Sequence, residues 1–210
     1  MPEIMVTEQL IVPRADEREW VRLQEELAHN FAKPLKMSRW QYLDTLPNFT
    51  LQPIEYQGRF DILGLVQPPQ PEKGLSFKKI LDIVGLSYNP AVLKMQDWQG
   101  DKGRFRTPAI AYAIWLEDGS RNLNVKPAVV RENLLEDERG GTGLDGVFLY
   151  VADRGLLRRH YLDLPGSQVG AVRVPCLALW SDEPGLSYAL VDGAAPDFGS
   201  VVAGRKIVTK

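Results

Sequence analysis

Between Pro108 and Glu117 the chain sets Ile110, Tyr112, Ile114 and Leu116 on one parity and Ala109, Ala111, Ala113 and Trp115 on the other. Successive side chains of a strand point to opposite faces, so the segment predicts a strand with two apolar faces. Val172 to Trp180 is also apolar on both faces towards its end and predicts a central strand. Leu186 to Val191 is expected to return antiparallel after a turn at Asp182 to Gly185, and Val201 to Val208 to add a last strand. Phe60 to Val66 predicts an earlier one. Asp118-Gly119 is a hairpin signal, and Arg121 to Val125 is expected to return beside the 108–117 strand.

Helical periodicity separates these strands. From Ala15 to Ala32, Trp20, Leu23, Leu27 and Phe31 share one face, with His29 turned to solvent. Pro34 ends that helix. Ser38 predicts the N-cap of a short second helix that Pro47 stops. Ser76 starts a third, which buries Phe77, Ile80, Leu81 and Val84 and closes at Gly85. Pro127 suits the first position of a helix ending before Gly140. After Gly141 strand propensity competes with a capping-box spacing, Thr142 to Asp145, followed by Leu144, Val147, Phe148 and Val151 at helical intervals. A helix is expected. Gln67 to Gly74, with three prolines, resembles a linker. The 66 residues before it look too few for a core of their own, so it is expected to be a surface loop. The prediction is one α+β domain over residues 1–210, an antiparallel-rich mixed sheet with helices packed against it and an N-terminal helical portion over about residues 1–66.

A formal charge of −2 offers no basic excess for a phosphate backbone, which argues against nucleic acid. Two short basic clusters, Lys102/Arg104/Arg106 and Arg154/Arg158/Arg159, suit solvated faces. Two distant histidines and one cysteine give no metal-ligand spacing, and no cofactor motif is present. The N-terminus lacks the basic start and apolar run of a leader, and no stretch has the length of a membrane span. The expected location is the cytoplasm, without membrane association. Homo-oligomerisation stays open.

Chemistry has few candidates. Cys176, mid-strand between Pro175 and Leu177, is expected to be buried and inert; a nucleophile would need a base and an electropositive pocket. His160, if Arg159 to Leu164 is a strand, shares a face with Leu162 and Leu164 and is either a half-buried, hydrogen-bonded histidine or a general base. Glu138 to Asp145 is the most motif-like stretch. Its glycines before a helix N-terminus, with Arg139, suit an anion. They equally suit a helix C-cap followed by an N-cap, the glycines supplying positive φ. It has neither the Lys-Ser/Thr ending of a P-loop nor the spacing of a dinucleotide fingerprint. Arg121-Asn122 follows the hairpin signal. Arg173 begins a strand headed for burial and wants a partner, and Trp180 suits the core. At least two of Arg121, Arg139 and Arg173 are expected to make bidentate contacts to internal carboxylates or carbonyls.

An ordered set of residues runs through the second half. Thr107-Pro108 opens it, followed by Gly119, Arg121-Asn122 and Pro127-Ala128. Arg139-Gly140, Thr142, Leu144, Asp145 and Gly146 come next, then Gly166-Ser167, Arg173-Val174-Pro175 and Leu179-Trp180. Pro184, Leu186, Ser200 and Gly204-Arg205 close it. Over about residues 107–205 the chain thereby resembles an uncharacterised bacterial family, a domain of unknown function frequent in actinobacteria. It departs from that family at Gly193 to Gly199, where the family carries a histidine and a tryptophan; a role resting on those two is lost or changed here. The resemblance implies fold membership and no activity.

Two functions follow as expectations. The first is a binding or interaction module without catalytic activity, which fits the neutral field and the exposed-looking Trp40, Tyr42 and Trp98. The second is a small enzyme or sensor domain for an anionic, phosphate- or carboxylate-bearing metabolite. Its candidate ligand-binding residues are Arg121, Asn122, Arg139, Thr142, Asp145, His160 and Arg173. Convergence of the three arginines on one concave pocket would favour the second.

Overall fold

The computed structural model describes residues 17–100 and 105–210. Helix α1 (Glu17–Phe31) buries Trp20, Leu23, Leu27 and Phe31 as their spacing requires, and His29 is exposed. Helix α2 (Arg39–Leu43) begins at a complete capping box between Ser38 and Gln41. Strand β1 (Ile62–Val66) leads into the proline-rich loop, which holds one turn of 3₁₀ helix at Pro71–Lys73. Helix α3 (Phe77–Val84) runs from the Ser76 cap to Gly85 in the left-handed region. The short strands β2 (Ser87–Tyr88) and β3 (Gln96–Asp97) flank a 3₁₀ helix at Pro90–Lys94.

Strand β4 (Tyr112–Glu117), helix α4 (Pro127–Asn133), strand β5 (Glu138–Gly140) and helix α5 (Gly143–Ala152) follow. The remaining elements are strands β6 (Tyr161–Asp163), β7 (Ser167–Gln168), β8 (Arg173–Trp180), β9 (Glu183–Leu190), β10 (Phe198–Ser200) and β11 (Val202–Val208). They form a four-stranded antiparallel sheet, β1-β4-β11-β5, and a five-stranded mixed sheet, β10-β6-β8-β9-β2, in which β10/β6 and β2/β9 are parallel. β3 and β7 make a separate antiparallel pair. The fold is α+β.

Helix α5 is buried on every side from Gly143 to Val151, because it touches β1 of one sheet and β8 of the other. A helix apolar all round belongs in such a place. Apart from Val174, Cys176 and Ala178 of β8, the buried apolar residues, from Trp20 through to Ala203, form one cluster. β1 pairs with β4 in register, Leu63 opposite Trp115, so the segment before the proline-rich loop contributes an edge of the main sheet. Among the described residues no helix is long and apolar enough to cross a membrane.

Several expectations need correction. The 108–117 strand starts only at Tyr112, and Ile110 is half exposed. The return strand at Arg121 to Val125 does not form; β4 lies between β1 and β11 instead. The cause is local. The Glu117 carboxylate accepts from the backbone N–H of Gly119 and of Arg121, and Asp118 accepts from that of Ser120. Such side-chain bonds hold a turn against a ladder, and the chain makes a 3₁₀ turn at Ser120–Asn122. Tyr42, expected at the surface, is buried and donates to Gln67 Oε1 at 2.8 Å. Trp180, expected in the core, is 43% exposed at the end of β8.

Candidate functional site

The motif-like stretch is part strand and part helix. Arg139 lies in β5, and α5 begins after Thr142. Thr142 Oγ1 accepts from the Asp145 backbone N–H at 3.1 Å, and Asp145 accepts from the Thr142 N–H at 2.7 Å, completing the expected capping box. Asp145 also accepts from the Thr142 hydroxyl (2.8 Å), from Arg139 Nη1 (2.7 Å) and from the Tyr112 hydroxyl (2.9 Å). Arg139 and Asp145 are both 0% exposed. Burial opposes ionisation of Asp145, yet the guanidinium and the Thr142 donors outweigh it and hold the carboxyl below its usual range. The same burial, then the Asp145 charge, pushes the Tyr112 phenol well up, so it stays a donor.

Arg139 is half used. Nη1 serves Asp145 and the Gly140 carbonyl, whereas Nε and Nη2 are buried without an acceptor. The Phe105 ring covers the guanidinium at 3.7 Å.

The glycines beside Arg139 do not supply positive φ, as neither Gly140 nor Gly141 is in that region. They allow close approach instead. A Cβ on Gly140 would stand 2.4 Å from Gly166 N, and one on Gly166 2.2 Å from Gly140 O. The two backbones touch, and Gly166 N–H donates to Gly141 O at 2.8 Å. Arg131 holds the other side of the 165–167 turn, donating from Nε to Pro165 O and from Nη2 to Ser167 O while stacking on Trp98. Ser167 Oγ in turn accepts from the Gly143 N–H at 3.0 Å.

This scaffold leaves a cavity of about 240 Å³ lined by Phe77, Leu93, Met95, Asp97, Thr107, Thr142, Leu144 and Ser167, among others. Asp97 accepts from the backbone N–H of Thr107 at 2.8 Å and from its hydroxyl at 3.0 Å. Thr107 thus lines the cavity, while Phe105, two residues earlier, covers Arg139.

The other candidates lie elsewhere. Arg121 is exposed, donates to Gly58 O and lines a separate cavity with Asn122, Arg59 and Glu117. Asn122 donates to Ser200 O at 3.0 Å. Arg173 is exposed and stacks over Tyr188 at 4.5 Å, with neither the burial nor the carboxylate expected of it. The expected pair of bidentate arginines is therefore absent, and the three do not share either cavity. His160 is buried, just ahead of β6, with Nε2 2.8 Å from the Asp118 carbonyl. A carbonyl only accepts, so Nε2 carries the proton and is spent on structure.

Cys176 is buried as expected, its thiol pushed up to about 12 by burial and then by Asp163. That thiol belongs to a row that sequence reasoning missed. Ser200, Asp163, Cys176 and Ser187 are cross-strand neighbours through β10, β6, β8 and β9. Asp163 Oδ1 and Ser200 Oγ are buried without partners, and burial pushes the Asp163 carboxyl up to about 7. The folded chain thus keeps a proton that the unfolded chain releases near pH ~4. Stability should fall by about 2–4 kcal/mol as pH rises from 4 through 7, then level off. Asp163→Asn should remove that slope and be the more stable protein at pH 8. Urea unfolding at pH 5 and pH 8 reads both; equal slopes in the two proteins would show that Asp163 does not cause it.

Tyr112, Arg131, Asp163 and Ser200 are not among the candidate site residues drawn from sequence, although Tyr112 belongs to the strand pattern and Ser200 to the family resemblance. Only Arg131 carried a usable signal, since Pro127, Val130, Arg131 and Leu134 follow helical spacing and all four are buried. Among the described residues no group of three or more His, Cys, Asp or Glu is placed to hold a metal ion. No family model, curated protein or solved structure matches the chain.

Proposed function

We propose that the chain is a non-catalytic binding module whose ligand is a small, largely apolar molecule carrying one or two hydrogen-bonding groups. The observation that carries this is convergence. Thr107, Thr142, Leu144 and Ser167, from three separate stretches of the sequence and all part of the actinobacterial-family resemblance, line one cavity with Phe77, Leu93 and Met95. Apolar walls with a few placed polar groups are what small-molecule sites need. The volume sits just under the ~300 Å³ at which drug-sized sites begin, which sets a small ligand. Asp97 is the one carboxylate in that wall and is committed to Thr107. Thr142 is spent on the helix cap. No base–nucleophile pair faces the space, which supports binding over chemistry.

A sensor for an anion is the second reading, favoured by the two unpartnered nitrogens of Arg139. An anion arriving from the Phe105 side would supply the missing acceptor.

Thermal-shift screening tests both, using neutral one-ring fragments and a set of phosphorylated and carboxylated metabolites. Neutral fragments should raise the midpoint of the wild type and not that of Leu93→Trp, whose indole fills the cavity. Stabilisation by anions alone, deepened when Phe105→Ala uncovers the guanidinium, would replace this proposal with the anion reading. No stabiliser in either set would remove the small-ligand proposal.

A further inference from the structure

Away from this scaffold, where α5 ends and β8 turns into β9, Tyr150, Arg154, Leu157, Arg158, Tyr161, Leu179, Asp182 and Pro184 enclose a cavity of about 500 Å³. Arg154 is anchored there. Its Nη1 donates to Val84 O at 2.8 Å, its Nη2 lies 3.5 Å from Glu26, and its guanidinium stacks over Tyr150 at 4.7 Å. Arg159, next in the chain after Arg158, is paired with Asp153 at 2.7 Å. Arg158 differs from both. Its backbone N–H donates to Gly155 O at 3.1 Å, but its guanidinium makes no hydrogen bond or ion pair with another described residue, and neither the Tyr150 nor the Tyr161 hydroxyl donates to one. One free guanidinium and two free phenols therefore face a common space whose floor is Leu157, Leu179 and Pro184.

We infer that this cavity is a second binding site, for a small anion with one phosphate or carboxylate head and an apolar body. The head sits on Arg158, whose planar fork matches either group. Arg154 adds positive charge from a fixed position, and the two phenols donate hydrogen bonds. The apolar body lies on Leu157, Leu179 and Pro184. Asp182, in the turn between β8 and β9 with φ of +68°, is the one carboxylate in the wall. Its charge disfavours a second anionic group, which restricts the ligand to a single head. The site is independent of the Thr142 cavity and stands whether or not that cavity binds anything.

The probe is phenyl phosphate, compared with inorganic phosphate and with phenol by isothermal titration on the full chain. Phenyl phosphate should bind most tightly, because only it offers both head and body. Arg158→Gln should weaken it about tenfold, the loss of one charge-assisted contact. Asp182→Asn should tighten it severalfold, and asparagine suits a left-handed backbone. Neither exposed substitution should move the melting temperature. Equal affinity in Arg158→Gln and wild type would overturn the site, as would absence of saturable binding at about 10 mM phenyl phosphate. Equal affinity for phenyl phosphate and inorganic phosphate would reduce it to an adventitious ion only.

Discussion

Arg139→Ala is expected to cost about 3–5 kcal/mol of stability at pH 7, the loss seen when one partner of a buried ion pair is removed. Asp145 would stay behind, 0% exposed and surrounded by the capping turn. The pH dependence separates this from simple loss of packing. In the wild type the Asp145 carboxyl is held below its usual range, so its contribution is fully present above the unfolded value of ~3.9 and lost only as pH falls below that. Without the guanidinium, burial is opposed only by the Thr142 and Tyr112 donors, and the folded carboxyl moves upward. The variant should then recover part of its deficit between pH 7 and pH 5, as the folded state takes up a proton there. Urea unfolding at the two pH values reads this directly. A loss under about 1 kcal/mol, equal at both, would show that Asp145 does not depend on Arg139.

Gly166→Ala is expected to cost at least about 3 kcal/mol, or to prevent folding. The added methyl would stand 2.2 Å from the Gly140 carbonyl oxygen, and both partners are backbone. Relief requires β5 to separate from the 165–167 turn. That movement would break the Gly166–Gly141 hydrogen bond and disturb the Arg131 clamp. The control is Gly155→Ala, where the nearest atom, at 3.2 Å, is the end of a flexible aspartate side chain. It should stay within about 0.5 kcal/mol of wild type. Similar stabilities for the two variants would mean that the close approach at Gly140 does not constrain the fold.

Both sites follow a pattern in what the chain makes legible. The capping box at Thr142 and Asp145 was readable because its partners lie three residues apart, and so was α5 against the strand propensity of Val147 to Val151. The cap at Ser76, the closing Gly85 and the buried stripe of α1 are local in the same sense. The Asp118-Gly119 turn was also legible, yet its hairpin was not formed. The Glu117 and Asp118 side chains bond the turn's own backbone and wind it into a 3₁₀ turn, and the places beside β4 go to β1 and β11, which are distant in sequence.

The cavity around Thr142 was beyond sequence reasoning for the same reason. Its walls come from Phe77, Met95, Asp97, Thr107 and Ser167 as well, and only the docking of β3 on β7 and of Gly166 on Gly140 brings them together. Arg139, Arg121 and Arg173 looked alike as residues. One became a fully buried counter-ion, one an exposed clamp on Gly58 and one an exposed cation over Tyr188. Sequence by itself determined where helices begin and end, which faces are apolar and that a single cysteine would sit inside. Tertiary structure alone decided which strands pair, why the glycines at 140 and 166 are glycines, and which charges lose their water. Local bonding depends on neighbours a few residues apart, whereas burial of a charge depends on everything packed around it.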